Sequence, residues 1–272
     1  MSNDTTAKEH DAQAPGLIGT LEDGILWITI SNPARRNAMT KAMWRDMPTL
    51  LERAESDDAV RVIVLRGGSE VAFCAGADIS EFKEERTGAV GAAYEELNHR
   101  CFGTLSRCAK PTIAMVQGFC LGGGLELALC CDLRVASPEA QFGIPAAKLG
   151  IGYNPRWIRP LLASMTIARA KELLFTGRRF GANAAYDMGI LNAIHEADAL
   201  HAATLALAGE IAANAPLSVL AAKKTLDEFQ DHPENPDLAM LDRYVERAMQ
   251  SADYDEGQRA FLEKRVPVFK GH

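Results

Sequence analysis

No uninterrupted apolar run in this chain is long enough to cross a bilayer, because charged residues break every candidate. No lysine and hydroxyl residue follow its glycines as a Walker A loop requires, and no GxGxxG opens a strand-to-helix turn. A GxSxG elbow, or another supported serine–histidine–acid set, is also missing. The six histidines, at 10, 99, 195, 201, 232 and 272, show no metal-ligand spacing. Nucleotide, serine-hydrolase and zinc chemistry are therefore disfavoured. Cysteine is sparse too. Cys74, Cys101, Cys108, Cys120, Cys130 and Cys131 lie mostly in apolar segments without the paired spacing of disulfides or zinc sites. They predict reduced core thiols, a cytoplasmic location and no bound metal. Positive charge is in deficit, and a net charge of −7 argues against nucleic acid as a main partner. The polar start, MSNDTTAKEHDAQAPG, has neither the basic nor the apolar region of a secretory signal, which predicts a disordered lead-in over residues 1–18.

What is present is concentrated between Gln117 and Asp132, QGFCLGGGLELALCCD. Between Phe119 and Cys131 the single charged residue is Glu126. An ionised carboxylate in a dry interior costs several kcal/mol unless it is paired, so a fold that places one there uses it or raises its pKa. Three glycines just before it allow close approach of backbone to a ligand and leave helix-initial amides free. A second segment, Val71 to Phe82, VAFCAGADISEF, runs through small residues Ala75, Gly76 and Ala77 to Asp78. An oxyanion pocket needs two convergent N–H donors, and two such loops supply them. Taken singly, a glycine run is turn chemistry and a buried glutamate an ion-pair member; it is the two segments together that point to catalysis.

The runs IAMVQGFCLGGGLELALCCDL and AFCAGADISEF, together with SNPARRNAM at Ser31 to Met39, resemble the enoyl-CoA hydratase/isomerase (crotonase) superfamily. The likeness runs from about Leu21 to Phe269 and includes the tail FLEKRVPVFKG. It implies that the backbone N–H groups of Ala77 and Gly123 hold the carbonyl of an acyl-CoA thioester, with Gly122 and Ala75 beside them. Glu126 matches the first catalytic glutamate of the hydratases. Ala34, Arg35 and Arg36, with Asp78 and Ile79, match positions that line the coenzyme A site, and the two arginines suit its phosphates. Lys264 matches a tail position that approaches this site, sometimes across a subunit boundary; its plainer role is a solvated helix charge. The implied partner is an acyl-CoA thioester, with no separate cofactor, nucleic acid or membrane. The implied assembly is a homotrimer or a dimer of trimers.

One departure bears on the reaction. Hydratases of this family carry a second glutamate twenty positions after the first, where this chain has Ala146, in QFGIPAAKLGIGYNP. A methyl group neither orients water nor transfers a proton, so two-glutamate hydration is in doubt. Tyr153 in the same loop resembles the methylmalonyl-CoA decarboxylase branch, whose tyrosine sits at the matching distance, although that branch has a histidine where this chain has Ala77. Tyr153 as a packing residue is the plain alternative. A further alternative is a non-catalytic acyl-CoA binding protein that kept the pocket and lost the reaction.

β-branched runs at Ile25 to Ile30, Val60 to Leu65, Thr112 to Val116 and Leu133 to Ala136 predict strands, with shorter ones at Ala72 to Cys74 and Gln141 to Gly143. Helical periodicity fills Lys41 to Ser56, Val90 to Cys108 and Gly124 to Cys131. Alternation of this kind predicts α/β layers. The resemblance implies the crotonase (ClpP/crotonase-like) β-β-α superhelix, with a core over 19–195 that carries the CoA-ester site. Beyond it, residues 196–272 read as a helical region that the resemblance makes the trimerisation region; a helical lid would use the same exposed apolar faces.

Overall fold

The computed structural model describes residues 14–78, 80 and 88–272, with the side chains of 88–90 outside that description. Ile79 lies outside the described residues, as does most of the expected lead-in. Strand β1 (Gly16–Glu22) already begins inside the expected lead-in of 1–18, because it pairs antiparallel with β2 (Ile25–Ser31), Gly16 opposite Ser31. Then come α1 (Lys41–Glu55), β3 (Val62–Gly67), β4 (Ala72–Cys74) and α2 (Gly88–Ser106). The next turn of chain is β5 (Thr112–Val116), β6 (Phe119–Leu121) and α3 (Gly123–Leu129), followed by β7 (Leu133–Ala136) and β8 (Gln141–Gly143).

Among the described residues the strands make two sheets. The larger has the order β1-β2-β3-β5-β7-β10, where β10 is Ala193–Ile194, and the smaller has the order β4-β6-β8-β9, where β9 is Phe180–Gly181. Each coil of chain thus lays one strand on the larger sheet (β3, β5, β7) and the next on the smaller (β4, β6, β8), and stacking coils run the same way, so these strands pair in parallel. This is the β-β-α superhelix implied above. Coils stack at backbone distance: a Cβ on Gly124 would lie 2.1 Å from the Cys74 carbonyl oxygen, so only hydrogen fits there.

Both faces of the larger sheet are buried over its inner strands β2, β3 and β5, which explains why these are nearly continuous apolar runs. Ile25, Trp27, Val62, Val64, Ile113 and Met115 face one side, against Leu200 and Ala208 of α7 (Leu200–Ala212). The intervening residues Leu26, Ile28, Ile63, Leu65, Ala114 and Val116 join the main core with α1. Helix α1 starts where the Thr40 side chain accepts a hydrogen bond from the Met43 amide at 3.3 Å, and it buries Met43, Trp44, Met47 and Leu51. Each such side chain contributes about 1.5–3 kcal/mol on burial.

After β8 come α4 (Ile158–Ser164), α5 (Ile167–Thr176) and α6 (Ala182–Asp187), and after α7 come α8 (Pro216–Asp231), α9 (Leu238–Met249) and α10 (Ala252–Glu263). The C-terminal helices carry exposed apolar side chains, among them Phe229, Phe261 and Leu262. No single helix among the described residues is long and apolar enough to cross a membrane. The six cysteines are free and buried.

Candidate active site

The loop 32–39 is fixed by two buried asparagines. Asn32 donates to the Ala38 carbonyl at 2.8 Å, and Asn37 donates to the Ala72 carbonyl at 2.6 Å. Met39 then pairs with the loop after β4: its amide donates to the Gly76 carbonyl at 2.8 Å, and its carbonyl accepts from the Asp78 amide at 3.0 Å. In an extended segment successive amides face opposite sides, so this pairing turns the Ala77 N–H away from Met39. The other side is the start of α3. A Cβ on Gly123 would lie 3.9 Å from the Ala77 nitrogen, and one on Gly76 would lie 3.4 Å from the Gly123 nitrogen. Gly123 is the first residue of α3, so its amide has no partner within the helix. Gly122 permits this turn with φ 54° and ψ −123°, a conformation that a side chain resists. Its amide is anchored on the Gly143 carbonyl at 2.8 Å.

Glu126 follows on the first turn of α3, 1% exposed. Tyr153 donates its phenolic hydrogen to Glu126 Oε2 at 2.5 Å, while Glu126 Oε1 is buried without a hydrogen-bond partner. Burial pushes the Glu126 carboxyl up to about 8, against the Tyr153 hydrogen bond, which lowers it. Burial and then the neighbouring Glu126 raise the Tyr153 phenol far above its ordinary range, so it stays a hydrogen-bond donor and does not ionise. A carboxyl poised about neutrality is suited to moving protons.

Ala75, Ala77, Gly122, Gly123, Glu126, Ala146 and Tyr153 all line one cavity of about 180 Å³. The structure therefore brings together seven of the residues singled out in the sequence, from three separate segments. Ala146 lies on a short 3₁₀ turn, Pro145–Leu149, and among the described lining residues Glu126 is the one carboxylate. The other walls, not singled out as site residues in the sequence, include Trp44 from α1, Asn98 and Phe102 from α2, and Trp157. The rings of Trp44, Phe102 and Trp157 are edge-to-face in series, with centroids 5.3 and 5.5 Å apart. Their positions follow from helix packing, and no local signal marks them.

The remaining predicted residues that the structure describes are not among those lining this cavity. Ala34 and Arg35 belong to an exposed 3₁₀ turn, Pro33–Arg35, joined to the donor loop where the Ala75 amide donates to the Arg36 carbonyl at 3.1 Å. The Arg36 guanidinium lies over the Phe119 ring at 5.2 Å, and Arg179 lies over the same ring at 5.0 Å. Asp78 is buried; burial alone would raise its carboxyl, but the Ser80 hydroxyl and amide, with Arg35 nearby, hold it below its ordinary value. Lys264 caps the C-terminus of α10 in the left-handed conformation, exposed and not among the residues lining the cavity within this chain. A larger cavity of about 450 Å³ lies between α3 and α8, where Lys223 pairs with Asp132 at 2.6 Å in a structural network with Thr112. No cluster of potential metal ligands occurs among the described residues.

Fold and site together define an enzyme class built on coiled β-β-α units with backbone donors beside a buried acid. A profile of the family described as enoyl-CoA hydratase/isomerase matches residues 20–272. The chain belongs to this family and is an enoyl-CoA hydratase/isomerase-like enzyme acting on acyl-CoA. It is 33% identical over 244 residues to a short-chain-enoyl-CoA hydratase of Clostridium acetobutylicum, covering 90% of this chain and 93% of that protein. A human protein, enoyl-CoA hydratase domain-containing protein 2, mitochondrial, is 34% identical, covering 99% of this chain and 93% of its own. Among solved structures, an enoyl-CoA hydratase/carnithine racemase from Magnetospirillum magneticum superposes with a TM-score of 0.90 at 34% identity, covering 94% of this chain and 96% of that one.

Proposed function

We propose that the thioester carbonyl is held between the Ala77 and Gly123 amides and that Glu126 moves protons at the resulting enolate. The observation that carries this reading is the convergence of both donor loops and a carboxyl raised to about 8 on a single cavity. Negative charge grows on the thioester oxygen as the α-carbon becomes carbanionic, so amides fixed in advance stabilise the enolate more than the starting ester. Losing one such donor typically costs ~3 kcal/mol, about a hundredfold in rate. A lone carboxyl that takes a proton from one carbon and returns it to another is enough to migrate a double bond. Addition of water asks for a second group to orient the nucleophile, and Ala146 is not one. The site therefore fits isomerisation-type proton transfer better than two-carboxylate hydration.

Ala34, Arg35, Arg36, Asp78 and Ile79 form the coenzyme A side of the site in this reading, with the arginines toward its phosphates. The reaction needs no further cofactor, since coenzyme A enters as part of the substrate. The exposed apolar faces of α8 and α10 support a homotrimer or dimer of trimers, in which Lys264 reaches a neighbour's site. Buried, unpaired cysteines are in keeping with a reducing, cytoplasmic setting.

A malonyl-type decarboxylation is the second reading, favoured by the placement of Tyr153 in the cavity, since loss of carbon dioxide leaves the same enolate. Against it, the phenolic hydrogen is given to Glu126, and no lysine or arginine is among the described lining residues to hold a substrate carboxylate. A pure acyl-CoA binder has no use for a buried, unpaired carboxyl oxygen.

Glu126→Gln is the test. Folding and CoA-ester binding are expected to survive while turnover and α-proton exchange disappear; undiminished activity removes Glu126 from the mechanism. In the wild type, carbon dioxide release from a malonyl-type ester would select the decarboxylase, and binding without α-proton exchange the binder.

A further inference from the structure

Glu126 also borders a second cavity, of about 410 Å³, which the proton transfer proposed above does not use. Among the described residues, Phe102, Glu126 and Trp157 line both this space and the 180 Å³ cavity, so the two share one wall. Their linings are otherwise unlike. Backbone donors and aromatic rings dominate the smaller, whereas His99, Ser106, Arg107, Arg156, Arg159 and His232 line the larger. Two of these guanidinium groups already have carboxylate partners, Arg156 with Glu96 at 3.7 Å and Arg159 with Asp231. Arg107, Arg156 and His232 are exposed, His99 and Ser106 are half-buried, and Glu126 is buried. Polar side chains of the larger cavity thus lead from the protein surface to the carboxyl.

Resting on Glu126 as the proton-transfer group, we infer that the second cavity is a hydrated route by which its carboxyl exchanges protons with solvent while an acyl group fills the first. An apolar chain entering this space would strip water from three guanidinium and two imidazole groups, a cost that water itself avoids. A polar space of 410 Å³ is ample for several waters, each needing about 30 Å³. Tyr153 holds Glu126 Oε2, but Oε1 has no hydrogen-bond partner in the protein. The carboxyl can therefore meet a water at Oε1 and keep its phenol contact. No co-reactant is required. The ionised carboxylate takes a proton from the α-carbon, and the electron pair of that C–H bond passes to the thioester oxygen. The new O–H then exchanges its proton for one from solvent through the cavity. The carboxyl returns this solvent proton to the γ-carbon, and the carboxylate is restored. His99 and Ser106 are positioning residues for the water on this route.

Conversion of 3-butenoyl-CoA to crotonyl-CoA by the full-length protein in heavy water, followed by mass spectrometry at low conversion, tests this. The wild type is expected to place solvent deuterium on the product methyl carbon in most turnovers. Gly103→Leu narrows the second cavity and leaves the first alone, since Gly103 lines only the second. Gly103 lies on α2, and the atoms nearest to a Cβ there are the flexible end of Arg107, from 2.8 Å, which can swing aside. Conversion by this variant is expected to stay within about twofold of the wild type while deuterium incorporation falls about fivefold or more. A merely structural fault would lower both together. Should Gly103→Leu not fold, His99→Leu, which removes both ring nitrogens, is expected to lower incorporation severalfold at unchanged conversion. Wild-type product free of solvent deuterium, or undiminished incorporation in the variants, overturns the route and leaves Glu126 as the proton carrier. A wild type that neither converts the ester nor exchanges its α-protons overturns the role of Glu126, and the route with it.

Discussion

Tyr153 and Glu126 lie twenty-seven residues apart in the chain and meet at 2.5 Å, the phenol donating to the carboxyl inside the cavity. This contact stabilises the ionised carboxylate, while burial favours the protonated acid. The balance of the two sets where Glu126 titrates.

Tyr153→Phe removes the stabilising side of that balance. The Glu126 pKa is expected to climb above about 8, moving the limb of the pH–rate profile that reports it to higher pH. If Glu126 acts as a base, the rate at neutral pH falls about tenfold for each unit of that climb. A limb that stays in place shows that the phenol does not tune the acid.

The same raised pKa makes stability depend on pH. Glu126 folded titrates near 8 and unfolded near its ordinary 4.5, so across that interval the folded protein binds more protons than the unfolded chain. The Glu126 contribution is therefore fully favourable below about 4.5, is eroded as pH rises, and is lost above about 8. Glu126→Gln is expected to match the wild type near pH 5 and to exceed it in denaturant midpoint near pH 9. Parallel stability profiles for the two proteins would exclude a buried, neutral Glu126.

Ala146→Glu restores a second carboxyl on the cavity wall. Hydration of crotonyl-CoA, followed by loss of the enoyl absorbance, is expected to rise at least about tenfold, in the range of one positioned acid/base group. No gain would mean that the Pro145–Leu149 turn points that position away from the substrate.

Gly124→Ala probes the stacking of coils. The new methyl would sit 2.1 Å from the Cys74 carbonyl oxygen, and the forced shift is expected to cost about 3 kcal/mol or more in chemical denaturation. Gly209→Ala on α7 is the control: its methyl meets nothing within 4 Å, and stability should rise by about 0.5–1 kcal/mol.

The larger-sheet strands Thr112–Val116 and Leu133–Ala136 are legible in the sequence because burial on both faces demands continuous apolar residues. Strand β1 is not, since GLIGTLE is a glycine-containing, mostly exposed edge that owes its form to pairing with β2. Likewise β6 is a strand because Phe119 pairs with Ala72 and Gln141, partners far away in sequence. Of the candidate site, Glu126 stands out as a lone charge in an apolar run, and the donor loops stand out by their small residues. Asn98, Trp44 and Trp157 do not, because each lies on a helical segment whose inward face is chosen by packing. Strand β10 is short, Ala193–Ile194, the length that finds a partner on β7.

The two donor loops belong to neighbouring coils that touch main chain to main chain at Gly124 and Cys74. The span between the Ala77 and Gly123 nitrogens is thus set by the thickness of the polypeptide, given hydrogen at Gly124 and the asparagine clamps on the 32–39 loop. Other residues lining the cavity, such as Ala146, Asn98 and Trp157, lie outside that main-chain contact. The carbonyl grip proposed for these two amides is in this sense heritable apart from the chemistry performed beside it, which leaves the rest of the cavity free to diversify toward new acyl groups.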